Sequence, residues 1–152
     1  MNRQPVRREA SDNTLLLNGT DPTLSLLLRR AEHAVRQQLQ PTLDLEDLLF
    51  EHWQIMAVLR TRSAMRMSDL ADAAVLPPAT VTRYVDKLAE RALVVRRIAP
   101  EDKRSVVAGL SELGASLAEH LGKLEQEATR SLESTLGQHQ LIALINELNR
   151  LR

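Results

Sequence analysis

The chain has 152 residues, 43% of them hydrophobic, and its 20 Lys+Arg are balanced by 20 Asp+Glu, for a formal net charge of zero. That length supplies one domain with a buried core, and with no cysteine present, disulfides, thiolate metal sites and a cysteine redox switch are excluded. The aromatic residues are Phe50, Trp53 and Tyr84 alone, too few for the stacking platform of a single-strand binder. No apolar run approaches the roughly 18 residues needed to cross a bilayer, and the N-terminus lacks a signal-peptide layout, so a cytoplasmic protein is expected.

Residues 1–20 are polar and without sustained period, with a basic cast from Arg3, Arg7 and Arg8; they read as a disordered tail. Residues 21–44 read as an N-terminal dimerisation helix. Asp21-Pro22 supplies a cap and a first-turn proline, and Leu24, Leu27, Leu28, Ala31, Val35 and Leu39 recur at three- and four-residue spacings. Pro41-Thr42 is expected to end it. A second helix is expected from about Leu45 to Thr61, followed by a short strand at Arg66-Met67.

Residues 45–111 form the expected DNA-binding region, organised around Met67 to Leu110. Ser68 is a candidate N-cap for a short helix that Leu76-Pro77-Pro78 must break. The same prolines open the next helix, Ala79 to about Arg91. Val81, Val85 and Leu88 fall on one of its faces, Thr80, Arg83 and Lys87 on another. Two β-branched runs, Leu93–Ile98 and Arg104–Leu110, flank turn residues and predict a hairpin. A short helix, a tight turn, a second helix carrying hydroxyls and cations, and a hairpin make a winged helix-turn-helix. Between residues 58 and 104 ten cations face six anions, a basic segment on an otherwise acidic body.

Residues 112–152 read as C-terminal dimerisation helices. Ser111 is a natural N-cap, Leu113, Leu117, Leu121, Leu124, Ala128 and Leu132 form a stripe, and Gly137 separates a last helix carrying Leu141, Leu144, Ile145, Leu148 and Leu151. These helices are more apolar than one small winged domain can consume, so a homodimer is predicted. The fold class expected is mainly α with a small β wing. Thr80, Thr82, Arg83 and Lys87 are the candidate groove contacts, Arg83 foremost because its planar fork can bond guanine bidentately. No nucleophile elbow or phosphate-cradling glycine loop is present, so an enzyme is not expected. His33, His52, His120 and His139 include no pair three or four apart, and neither metal nor cofactor is expected.

From Trp53 through Gly114 the sequence resembles the MarR (multiple antibiotic resistance regulator) family. The residues concerned are Trp53 to Leu59, Met67-Ser68-Asp69-Leu70-Ala71, Thr80-Val81-Thr82-Arg83-Tyr84-Val85-Asp86-Lys87-Leu88, Asp102-Lys103-Arg104 and Leu110-Ser111-Glu112-Leu113-Gly114. The resemblance implies a regulator of transcription that binds double-stranded DNA as a homodimer on an inverted repeat, most commonly as a ligand-responsive repressor. It also implies wing contacts from Arg97, Lys103 and Arg104, with Asp102 steadying the wing by pairing with an arginine. An effector cleft for small aromatic or phenolic anions is implied between the dimerisation helices and the winged unit, and Arg30, His33, His52, Trp53 and Met56 are its candidate borders. Three residues depart from the family pattern: Pro77 replaces a capping Ser or Thr, Ala79 a frequent Ser, and Ala92 a glycine. With the zero net charge, Pro77 and Ala79 keep open a dimeric small-molecule-binding scaffold of the same fold with weak or lost DNA recognition. An architectural protein that coats DNA without an operator is the other alternative.

Overall fold

The computed structural model describes residues 22–99 and 102–151. The polar segment 1–20, the Asp21 cap and the Pro100-Glu101 turn lie outside the described residues, as do the side chains of Lys103 and Arg104. Six helices and three strands follow in the order α1 (Leu24–Leu45), α2 (Phe50–Thr61), β1 (Met65–Arg66), α3 (Met67–Ala74), α4 (Pro78–Glu90), β2 (Val94–Ala99), β3 (Asp102–Leu110), α5 (Glu112–Leu136) and α6 (Gln138–Asn149). The strands form one antiparallel sheet in the order β1-β3-β2. Met65 pairs with Ala108 and Val94 with Leu110, and a register shift lies between Ile98 and Ala99.

Several boundaries differ from the sequence expectation, each for a local reason. Thr23 caps α1 by accepting the Leu26 amide at 3.4 Å. Pro41 does not end α1; the helix runs on to Leu45. Leu39 and Leu43, one turn apart on either side of the proline, are both completely buried, and their burial outweighs one lost backbone bond. The second helix consequently starts at Phe50 instead of near Leu45. The first strand lies one residue earlier than expected, at Met65–Arg66, so α3 begins directly after it. Ser68 thus falls inside the first turn, where its hydroxyl donates to Asp69 at 3.3 Å and caps nothing.

Three helices end in the same way without glycine. Asp47, Val75 and Ala92, with φ of 47°, 54° and 56°, are the non-glycine residues of positive φ among those described. After α1, Leu48 N–H donates to Leu43 O and Asp47 N–H to Asp44 O. After α3, Leu76 N–H reaches Ala71 O and Val75 N–H reaches Asp72 O; after α4, Leu93 N–H reaches Leu88 O and Ala92 N–H reaches Ala89 O. This is the Schellman pairing, which satisfies the last helical carbonyls at the cost of one left-handed residue. In each case the next residue is a leucine, and Leu48 and Leu93 are only 3% exposed. Burial of that leucine holds the strained residue in place.

The wing and α5 are locked by Ser111. Its hydroxyl donates to Ala92 O at 2.6 Å and accepts the Gly114 amide at 2.9 Å. A Cβ on Gly114 would collide with the Leu93 carbonyl, so only glycine lets α5 start so close to the end of α4. That approach sets the helix's rotation: Gly114, Ala118 and Leu121 face the core, while Leu113, expected in the buried stripe, is 60% exposed. At the centre lies α2, which buries Phe50, His52, Trp53, Ile55, Met56 and Leu59.

Left-handed alanine or valine costs about 1–2 kcal/mol relative to glycine, partly offset by the greater freedom of glycine in the unfolded chain. Val75→Gly and Ala92→Gly should therefore each raise stability by about 0.5–1 kcal/mol, read as an increased urea midpoint. An unchanged or lowered midpoint would show that the strain is not there.

Candidate nucleic-acid interface

The turn Val75-Leu76-Pro77 carries the chain from α3 into α4 with no side-chain cap. The Pro77 carbonyl accepts from Thr80 and Val81 amides at 2.9 and 3.0 Å, starting the helix through backbone alone. Val81, Val85 and Leu88 are completely buried, which fixes the rotation of α4. Thr82, Arg83 and Lys87 are left exposed, and Thr80 half-buried. The β2–β3 hairpin stands beside this helix, with Arg97 exposed on β2 opposite Val107, and Asp102 opposite Ala99 at the start of β3. Lys103 and Arg104 lie on β3, their side chains outside the described residues.

The predicted contact residues are not all free. Thr82 donates its hydroxyl proton to Pro78 O at 3.1 Å, so toward a partner it is first an acceptor. The Arg83 guanidinium lies 5.3 Å from the Tyr84 ring centroid, within cation–π range. Lys87 Nζ stands 3.7 Å from Asp47 in the α1–α2 linker, Arg91 meets Glu46 at 3.3 Å, and Arg96 pairs with Asp86. Sequence reading missed these acids because Asp47 and Glu46 lie some forty residues from their partners and no local pattern joins them.

Two clefts flank α2. The first, of about 470 Å³, lies between the α1–α2 linker and α4 and is bordered by Asp47, Leu49, His52, Arg83, Tyr84 and Lys87. His52 is 4% exposed. Its Nδ1 accepts the Leu49 amide at 2.9 Å, capping α2 from the third helical position and placing the neutral ring's proton on Nε2, which is buried without a hydrogen-bond partner. The ring stands edge-on to Tyr84, centroids 4.8 Å apart. Burial lowers its pKa; the Glu51 carboxylate opposes this, and Lys87 and Arg91 add to it.

The second cleft, of about 570 Å³, opens between α1, α2, the end of α3 and α5. Val35, Phe50, Trp53 and Leu76 form its apolar wall, with Glu32, Gln54 and Glu125 at its polar positions. Trp53 Nε1–H donates to Glu125 at 2.8 Å across 72 residues of sequence, a pairing with no sequence signal. The five expected effector-cleft residues are not brought together in one chain. His52 faces the first cleft, Trp53 the second, and Met56 is completely buried in the core. Arg30 and His33 lie exposed on α1, bordering neither. Among the described residues no three His, Asp or Glu side chains converge as a metal site, and no helix is long and apolar enough to cross a membrane.

A three-stranded wing attached to a helix-turn-helix, with long helices at both ends of the chain, defines the winged helix-turn-helix class. Residues 51–106 match the MarR family model. Its relatives include the HTH-type transcriptional regulator FarR of Neisseria gonorrhoeae, 26% identical over 122 residues that cover 80% of this chain and 84% of FarR. Among solved structures, NadR in complex with 4-hydroxyphenylacetate superposes with a TM-score of 0.78 at 25% identity, covering 88% of this chain and 95% of that one. BpsR of Bordetella bronchiseptica, whose DNA binding is regulated by 6-hydroxynicotinic acid, does so with a TM-score of 0.70 at 25% identity, covering 85% and 92%.

Because its folded-state pKa is lowered from 6.5, His52 binds a proton less readily in the folded than in the unfolded chain. Its contribution to stability is therefore present above about pH 6.5 and lost as pH falls through the folded-state value. His52→Gln retains an acceptor for the Leu49 amide. It should flatten the loss of stability between about pH 7.5 and about pH 5.5, measured by urea denaturation at both; an undiminished slope assigns that loss to other groups.

Proposed function

We propose that this protein is a homodimeric transcriptional repressor that binds an inverted-repeat operator in double-stranded DNA and leaves it when a small aromatic effector binds. The observation that carries this reading is the set of α4: Val81, Val85 and Leu88 lock one edge into the core and leave Thr82, Arg83 and Lys87 outward beside the wing. Arg83 is the base-reading residue, through a bidentate bond to guanine. Thr80, Thr82 and Lys87 bind backbone and thymine methyls, while Arg97, Lys103 and Arg104 serve the wing, steadied by Asp102. The protein acts in the cytoplasm and is not an enzyme.

The dimer is supported by apolar surface that the described residues of one chain leave exposed. Leu24, Leu26, Leu27 and Leu28 at the start of α1, and Ile142, Leu144, Ile145 and Leu148 on α6, are each at least 40% exposed. A second copy pairing these helices buries that surface and sets two recognition helices one helical turn of DNA apart. The effectors of NadR and BpsR support the second cleft, between terminal helices and winged unit, as the effector site. The ligand acts by favouring one spacing of the two lobes, since equal affinity for both would shift nothing. A scaffold that has lost DNA recognition is the second reading, favoured by the carboxylates beside Lys87, Arg91 and Arg96.

Fluorescence polarisation against the upstream DNA of its own gene and random duplex, at two salt concentrations, separates the two. The repressor reading expects tight, salt-sensitive binding to the upstream site, weakened about tenfold or more by Arg83→Ala, and Lys87→Ala should lower the salt slope by about one. Absence of binding to either duplex at low salt leaves the scaffold. Equal affinity for both would instead favour the architectural alternative. In sedimentation, wild type should run as a dimer and Leu28→Glu shift toward monomer; a wild-type monomer refutes the assembly.

A further inference from the structure

The second cleft carries charge of the same sign as the anions which the family resemblance implies. Of its described lining residues, two are carboxylates, Glu32 and Glu125, and none is cationic. The Arg36 guanidinium, paired with the lining Glu32, is already committed: it meets Glu32 at 3.0 Å and Glu51 at 3.1 Å, and lies 4.4 Å from the Phe50 ring centroid. One cation among three carboxylates leaves the surroundings net negative. Glu125 uses Oε2 to hold the Trp53 indole, so its other oxygen remains to accept from a ligand.

We propose that this cleft selects an aromatic ligand bearing a positive charge, such as an arylalkylamine, with Glu125 as the charge-selecting residue. The inference rests on the reading of the second cleft as the effector site. An aromatic ring fits the apolar wall of Val35, Phe50, Trp53 and Leu76. A protonated amine placed beside Glu125 gains an ion pair and a charge-assisted hydrogen bond. A carboxylate in the same place would meet like charge in a partly desolvated site, and no described lining cation would offset it.

Three ligands sharing a phenol ring and a two-carbon arm isolate the charge: tyramine (positive), 4-ethylphenol (neutral) and 4-hydroxyphenylacetate (negative). Each is titrated into the full chain without DNA, by calorimetry and by the emission of Trp53, the one tryptophan of the chain. Tyramine should bind about tenfold tighter than 4-ethylphenol and tighter still than 4-hydroxyphenylacetate, a factor of ten corresponding to about 1.4 kcal/mol. All should perturb Trp53. Glu125→Gln keeps an acceptor for the indole and should bring tyramine and 4-ethylphenol to similar affinity. If that variant fails to fold, Glu32→Gln should reduce the same ratio. Equal or tighter binding of the anion, or an undiminished ratio in the folded variants, overturns the charge selection and leaves the cleft as the effector site. If no ligand perturbs Trp53, with or without heat of binding, the effector-site reading falls along with the proposal.

Discussion

Burial of α2 on every side is the constraint on which the rest of the structure depends. Its twelve residues bury Phe50, His52, Trp53, Ile55, Met56 and Leu59, and a helix apolar nearly all round must be enclosed. The terminal helices supply one wall and the helix-turn-helix the other. Because α2 fills the space between them, a displacement of the terminal helices reaches α4 through it. Trp53 holds α5 through Glu125, and His52, one residue earlier on the same helix, stands against Tyr84 of α4. The two clefts are thus the front and back of one helix. In the proposed switch the bistable element is the packing of α2, with a ligand on its Trp53 side and the recognition helix on its His52 side.

The fold was largely legible because its punctuation is chemical. Pro77-Pro78, Ser111 and Gly137 mark boundaries observed within a residue of where propensity places them. What propensity misread were places where burial prevailed. Pro41 sits inside α1 because Leu39 and Leu43 bracket it in the core. Left-handed Asp47, Val75 and Ala92 follow helices α1, α3 and α4; the resemblance marks Ala92, where the family has glycine, while Val75 announces no left-handed cap. The signal available was the leucine that follows each, a buried anchor that could have been read as the second half of the motif.

The candidate site was legible in composition and not in connectivity. Periodicity alone separates Val81, Val85 and Leu88 from Arg83 and Lys87, and the structure agrees residue by residue. By contrast, the expected effector set of Arg30, His33, His52, Trp53 and Met56 rests on the family resemblance, and one chain does not bring it together. A helix turns successive residues about 100° apart, so His52 and Trp53 had to face different clefts, and Met56, three residues after Trp53, joined the core instead. Glu125, the polar group nearest the indole, lies on α5, and only tertiary packing reveals it.

In the proposed repressor, carboxylates stand beside three basic residues near the surface that would meet phosphate. Lys87–Asp47, Arg91–Glu46 and Arg96–Asp86 are at least partly exposed pairs. Such pairs contribute at most about 1 kcal/mol each, and salt screens them. A duplex presenting closely spaced phosphates offers each cation more than one carboxylate does, with counterion release added. In the proposed repressor the pairs would lower binding without forbidding it, and a site that also engaged Arg83 at a base edge would recover the difference. Because that cost falls equally on every sequence, the acids would lower affinity and leave the ratio between sites unchanged, and discrimination would rest on the base contacts.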